Sequence, residues 1–244
     1  MISIGRGIRW YNDYQSEVDF CKKCGFDFMQ IWFKDGDICI NDIPEPKEQF
    51  IKDIGFPVIL HAVFSPDDFD AYGDRLLEIV EFLGMNEVII HPVCDKTNVP
   101  SNVEHLLAEK AKSFSKKAKS KNITWYLENN SVIDLFHYQP ADIKTVFEAD
   151  RYAEQLLDVA HIDDYQHLKQ IVDVKFPKCL HVAGKHFNVK HEHLPLTQGD
   201  IDYHFVFSKI LHGFHGRVIL EIDGTDEEII KSKEIIDKAI TFAK

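Results

Sequence analysis

Six short apolar runs in this chain end on a side chain that can hold a metal ion or carry a proton, each with the same placement. They are Ile59-Leu60-His61, Ile89-Ile90-His91, Tyr126-Leu127-Glu128, Leu156-Leu157-Asp158, Cys179-Leu180-His181 and Ile219-Leu220-Glu221. In a strand, alternate residues face opposite sides, so Trp125 and Leu127 share one face while Thr124, Tyr126 and Glu128 share the other. One such ending is ordinary, because a buried His with its hydrogen bonds made, or an Asp turning into a loop, is common in cores. Six at equivalent positions require strands that lie side by side and deliver their last inward residue to one end of one sheet.

The spacing of the strands indicates how that sheet is built. Strands are predicted near Ile2–Ile8, Asp27–Phe33, Pro57–Phe64, Glu87–His91, Ile123–Asn129, Gln155–Ala160, Cys179–Ala183 and Arg217–Ile222. Between them lie amphipathic stretches with helix start and stop signals: Asp13 to Cys24 before Gly25, Asp70 to Leu83 before Gly84, and Ser101 to Ser120, with Ser101 and Glu104 spaced as a capping box. Further helices are predicted at Ala141–Ala149, Asp164–Val174, Asp202–Leu211 and Asp226–Phe242. Between Lys34 and Phe56, interrupted by Gly36, Pro44 and Pro46, only a short helix near Pro46–Asp53 fits. Strands alternating with helices make a parallel sheet, and eight such units in 244 residues predict an α/β TIM (β/α)8 barrel, one domain over residues 1–244. An open doubly wound sheet would need a glycine-rich phosphate loop after its first strand, and Gly5-Arg6-Gly7 does not complete one.

Composition narrows the setting. A formal charge of -12 opposes a general phosphate-backbone binder, so no nucleic-acid partner is expected. Five cysteines without framework spacing, no signal peptide at Met1-Ile2-Ser3-Ile4 and no apolar run long enough to cross a bilayer predict a cytoplasmic protein with no membrane partner. Cys21 and Cys24 form a C-x-x-C inside a helix with no second pair, and are read as structural.

At the C-terminal mouth of such a barrel, His61, His91, Glu128, Asp158, His181 and Glu221 converge. Three carboxylates at close quarters repel unless one takes a proton or a cation lies between them. A divalent metal ion resolves this, and a set of carboxylates with imidazoles and no thiolate suits Mn, Zn, Mg or Co. Two additions lie nearby: His161, three residues beyond Asp158, and the loop His191-Glu192-His193. A His pair on a loop is commonly solvated surface, and His193 is the one expected to reach the site. His105, His167, His204, His212 and His215 fall on predicted helices or their ends, away from the mouth.

In order along the chain, Leu127-Glu128-Asn129, Asp158-Val159-Ala160-His161, Leu180-His181-Val182, His193-Leu194-Pro195-Leu196 with Gly199-Asp200, and Leu220-Glu221 resemble the xylose isomerase-like TIM barrel superfamily. The resemblance runs from about His61 to the end. It implies a sugar or sugar-phosphate isomerase or epimerase in which Glu128, Asp158, His181 and Glu221 hold one metal ion and the two glutamates also carry the proton. The type IV apurinic endonucleases share the superfamily, and eight of their zinc-ligand positions match His61, His91, Glu128, Asp158, His161, His181, His193 and Glu221. A ninth, an aspartate in that family, is His191 here. Family members often read His-x-Lys-Asp where this chain has His181-Val182-Ala183-Gly184-Lys185.

The leading expectation is therefore a metal-dependent isomerase or epimerase of a small-molecule sugar, with Glu128 and Glu221 removing and returning a proton on either side of the substrate. Trp32, Tyr126 and Phe64 are the aromatics expected to stack on the sugar. The alternative is an endonuclease IV-like phosphodiesterase acting at abasic sites in DNA. That reading needs a basic rim, whereas Lys34, Lys96 and Lys185 are outnumbered by Asp35, Asp37, Asp67, Asp68 and Asp70. Oligomerisation is left open.

Overall fold

The computed structural model describes residues 2–242. Eight parallel strands close into a barrel, as the strand-helix alternation requires. They are β1 (Ser3–Gly7), β2 (Phe28–Lys34), β4 (Val58–Phe64), β5 (Glu87–Pro92), β6 (Thr124–Glu128), β7 (Glu154–Asp158), β8 (Cys179–Val182) and β9 (Arg217–Leu220). Their spatial order follows the chain, and pairing of β1 with both β9 and β2 closes the ring. The two-residue β3 (Asp37–Ile38) returns antiparallel along the end of β2. The helices on the outside are α1 (Tyr14–Cys24), α2 (Lys47–Ile54), α3 (Asp68–Phe82), α4 (Val103–Ser120), α5 (Pro140–Ala149), α6 (Tyr165–Val174), α7 (Tyr203–Phe205) and α8 (Asp226–Phe242).

Two hydrophobic bodies follow from strand parity. Outward residues of the strands pack under the helices in one large core, which includes Ile31, Leu60, Ile90, Leu127, Leu157, Leu180 and Leu220. Inward residues form a separate cluster inside the barrel: Phe28, Ile59, Ile89, Tyr126, Leu156, Cys179 and Ile219. Each lies two residues before Gln30, His61, His91, Glu128, Asp158, His181 and Glu221. The apolar plug therefore forms the floor of a polar layer, and one period of strand alternation separates the two. At β1 the corresponding residue is Gly5, where a Cβ would lie 2.6 Å from Cζ of Phe28, so the ring of Phe28 occupies that space.

Local differences from the predicted elements have identifiable causes. The capping box proposed for α4 does not form: Asn102 occupies the cap position without a side-chain bond, and Glu104 instead accepts hydrogen bonds from the backbone N–H and ring Nδ1 of His137. The helix predicted at Asp202–Leu211 keeps its Asp202 cap, which accepts from the Phe205 N–H, but widens into a π turn over Val206–Ile210 after one turn. Cys21 is buried in α1, and burial pushes its thiol up to about 11, which removes the thiolate that redox exchange requires. No helix among the described residues is long and apolar enough to cross a membrane.

Candidate metal centre

The strand ends bring together all six residues singled out by parity. His181 on β8 is the hub. Its Nδ1 lies 3.2 Å from Glu128 Oε1, 3.0 Å from Glu221 Oε2 and 3.7 Å from Asp158 Oδ2, so one ring nitrogen faces three carboxylates. One donor atom from each of Glu128, Asp158, His181 and Glu221 lies within 4.8 Å of all the others. Glu128 Oε2 also meets His61 Nε2 at 2.9 Å and His91 Nδ1 at 3.0 Å. His61, His91 and Glu128 form a second group of convergent donors, and His61, His181 and Glu221 a third.

Asp158 is also held by backbone hydrogen bonds. Asp158 Oδ1 accepts from the Ala160 N–H at 2.7 Å, while the Asp158 N–H donates to Asn129 Oδ1 at 2.8 Å. Its other oxygen, Oδ2, is buried and has no hydrogen-bond partner, which is costly unless a cation or proton is supplied there.

Electrostatics point the same way. Burial by itself would raise the carboxyl of Glu128, but the imidazoles of His91, His181 and His61 outweigh it and hold the group well below the ordinary range. Burial opposes ionisation of Glu221 and Asp158 too, yet His181 lowers the first, and His161 with His193 lowers the second. For His181 burial favours the neutral ring, and Glu221 and Glu128 override it to raise the group well above its usual value. The carboxylates of Glu128 and Glu221 thus share a positive partner in His181.

His161 and the loop after β8 supply a further group. His161 Nδ1 lies 2.9 Å from the Asn129 carbonyl, and its Nε2 faces His193 Nε2 at 3.3 Å and Asp158 Oδ2 at 3.5 Å. His193 thus lies beside Asp158 and His161. His191 joins it, with ring centroids 5.2 Å from His161 and 5.0 Å from His193. Burial, with those two rings close by, pushes His191 down to about 4. Donor atoms of the three lie within 4.8 Å of one another.

Above the polar layer opens a cavity of about 430 Å³, whose walls include Trp10, Trp32, Gln30, His193, Glu221 and Asp223. Of the three aromatics expected to stack on a substrate, only Trp32 lines this cavity. Tyr126 belongs to the apolar floor with its hydroxyl on Glu87, and Phe64 faces outward against Phe33 and Phe69. Of the basic residues, Lys96 pairs with Asp134 at 2.8 Å and Lys185 is buried, its ammonium donating to the Ile162 carbonyl. Neither they nor Lys34 line the cavity. A hollow at the opposite mouth, bordered by Glu87 and Arg217, contains none of the convergent donor groups. Gln30, Trp10 and Asp223 were missed because none of them ends a β-branched or aliphatic run; parity along Phe28-Gln30-Trp32 was the one signal available for Gln30.

Fold and site together define a (β/α)8 barrel with a His- and carboxylate-lined centre at its C-terminal mouth. The chain belongs to the family described as "Xylose isomerase-like TIM barrel", whose sequence model matches residues 18–244. A search of curated proteins by sequence returned no match. Among solved structures it is similar to a D-tagatose 3-epimerase-like protein, at 15% identity with TM-score 0.77, covering 99% of this chain and 98% of that one. It is also similar to a D-psicose 3-epimerase with D-tagatose from Clostridium cellulolyticum H10 (16% identity, TM-score 0.66, 99% and 96% covered). A third is the IOLI protein with a bound zinc atom (13% identity, TM-score 0.76, 99% of each chain). At these identities the likeness is one of fold.

Proposed function

We propose that the chain is a divalent-metal-dependent isomerase or epimerase of a small sugar, acting by proton transfer between Glu128 and Glu221. The observation that carries this reading is the convergence of Glu128, Asp158, His181 and Glu221 on one point beneath an open cavity. The residues fit a metal: the donor set is three carboxylates and an imidazole, and Asp158 Oδ2 is buried without a partner. When bound, the ion would polarise a carbonyl and adjacent hydroxyl, acidifying the carbon-bound proton between them.

The protein's own residues do the rest. Glu128 on β6 and Glu221 just past β9 come from different strands and both border the cavity, so one would remove the substrate proton and the other return it. Asp158, its Oδ1 tied to the Ala160 N–H, holds position and carries no proton. Trp32 and Trp10 give the cavity flat apolar walls for C–H faces of a sugar. No Arg or Lys lines this cavity among the described residues, which favours an uncharged sugar over a phosphorylated one. The epimerases of similar fold support the same substrate class.

A second reading, the abasic-site phosphodiesterase, has one feature in its favour: the additional groups His61-His91-Glu128 and His161-His191-His193 offer donors for more than one ion. Elemental analysis of the purified protein, combined with a screen of unphosphorylated ketoses and their phosphates, separates the two. Nearly one ion per chain with turnover of a free sugar supports the isomerase. Two or three zinc ions with metal-dependent incision of abasic DNA would replace it.

A further inference from the structure

The polar layer contains one member that is neither a carboxylate nor an imidazole. Gln30 on β2 is fully buried, between Phe28 below it and Trp32 above it on the same face of the strand. Its side chain bridges two residues of the candidate centre: the amide nitrogen lies 3.1 Å from Glu221 Oε1, and the amide oxygen lies 2.7 Å from His181 Nε2. The orientation is forced by chemistry. An ionised carboxylate only accepts, so the NH2 end must face Glu221; the carbonyl end then faces His181 and only accepts, so His181 Nε2 must carry hydrogen. With Nε2 committed as a donor, Nδ1 is the nitrogen left to face Glu128, Asp158 and Glu221. Glu221 is fixed by the same amide: Oε1 is taken by Gln30, and Oε2 is the oxygen turned toward His181 Nδ1 at 3.0 Å.

We propose that Gln30 is the positioning residue of this centre, selecting the ligating nitrogen of His181 and the ligating oxygen of Glu221 with one neutral side chain. Neutrality matters. A carboxylate at this position would accept from His181 equally well but would repel Glu221, whereas an amide satisfies both partners and adds no charge to three clustered anions. The inference rests on the metal reading above, and it makes no use of which sugar is turned over.

The test uses the whole chain with zinc as the probe and two readouts other than turnover. In the parent, nitrogen-resolved NMR should show a protected Nε2–H on His181 both before and after zinc is added, because Gln30 holds it in either state. Gln30→Met, similar in length but unable to bond either partner, should lose that protection and weaken zinc binding by about 10 to 100-fold, the usual cost of losing an outer partner of a metal ligand. Gln30→Glu keeps the acceptor and should keep the protected Nε2–H, which a packing defect alone would not distinguish. If Gln30→Met does not fold, Gln30→Asn replaces it; its shorter amide cannot reach both partners, so the same losses are expected. A folded Met or Asn variant that retains the protected proton and the parent's zinc affinity would overturn the proposal. A parent that binds no zinc would overturn the metal reading instead, and the spectrum without zinc would then decide Gln30 by itself.

Discussion

The indole of Trp32 lies over the imidazole of His61, ring centroids 4.3 Å apart and planes 26° from parallel. His61 is fully buried, so Trp32 forms the lid between it and the open cavity. Trp32→Ala should therefore enlarge the substrate wall and let water reach His61. With an aromatic contact worth about 0.5 to 1.5 kcal/mol, KM should rise roughly twofold to tenfold, kcat should change less, and Trp32→Phe should keep most of the contact. Steady-state kinetics on the active sugar provide the check. A fall in kcat at constant KM would place Trp32 beside the reacting atoms and not in the wall.

Beneath the mouth, Glu17 of α1 joins Arg6 of β1 to Arg9 in the loop that follows, with contacts of 2.6 Å to each, and Arg9 reaches on to Asp226 at the start of α8. Burial would raise the carboxyl of Glu17, but Arg9, Arg6 and Asn12 together hold it below its usual value. A carboxylate with a depressed folded-state pKa contributes stability that is fully present above its unfolded value, about 4.3, and is lost as the pH falls through the lower folded value. Glu17→Gln leaves Arg6 without a counter-ion and Arg9 with Asp226 alone, and should cost about 3 to 5 kcal/mol at pH 7. Urea unfolding of parent and variant at pH 7 and near pH 3 should show that difference shrinking in acid. A pH-independent difference would mean that packing, not charge, is what the substitution removes.

Parity made much of the centre legible before any fold was known. Strand alternation is a covalent property of the chain, so His61, His91, Glu128, Asp158, His181 and Glu221 had to share a face once their runs were strands. Parity gives Gln30 its side of the strand but not its role, which depends on two partners more than 150 residues away, Glu221 and His181. Glu104 misled for the opposite reason: its local spacing fits a capping box, but the backbone N–H of His137, which is distant in sequence, outcompetes Ser101 for it. Tyr126 had the right parity and the wrong height, since alternation assigns a side but not a layer.

The loop after β8 illustrates the same limit and yields a prediction. Gly184 pairs through its backbone with Leu194, and a Cβ there would lie 2.5 Å from the Pro195 carbonyl oxygen, with the Gln198 carbonyl equally crowded. These are backbone atoms with little room to yield. Gly184→Ala should displace the segment that carries His191 and His193 without touching the strand ends. Zinc titration should then show the four-residue centre of Glu128, Asp158, His181 and Glu221 binding nearly as before, while the imidazole resonances of His161, His191 and His193 shift. Loss of the first with the second unchanged would contradict this division.

The sharpest test of the proposed chemistry uses the different duties assigned to Glu221 and Asp158. Both face His181 and both would ligate the ion, but Asp158 is buried whereas Glu221 is partly exposed and borders the cavity. Glu221→Gln keeps the size and one coordinating oxygen while removing the base, so metal should still bind and turnover should fall by about 10² to 10⁴-fold. Asp158→Asn removes a ligand that carries no proton, so occupancy should fall first and excess metal should restore part of the activity. In deuterated water, proton transfer labels the reacting carbon of the sugar and a hydride shift does not. The parent should therefore incorporate solvent label, Asp158→Asn with excess metal should incorporate it more slowly, and Glu221→Gln should incorporate almost none. Long incubations are needed so that internal return of the same proton is not mistaken for a shift. Full activity in Glu221→Gln, or turnover by the parent with no label even at equilibrium, would rule out the two-glutamate route.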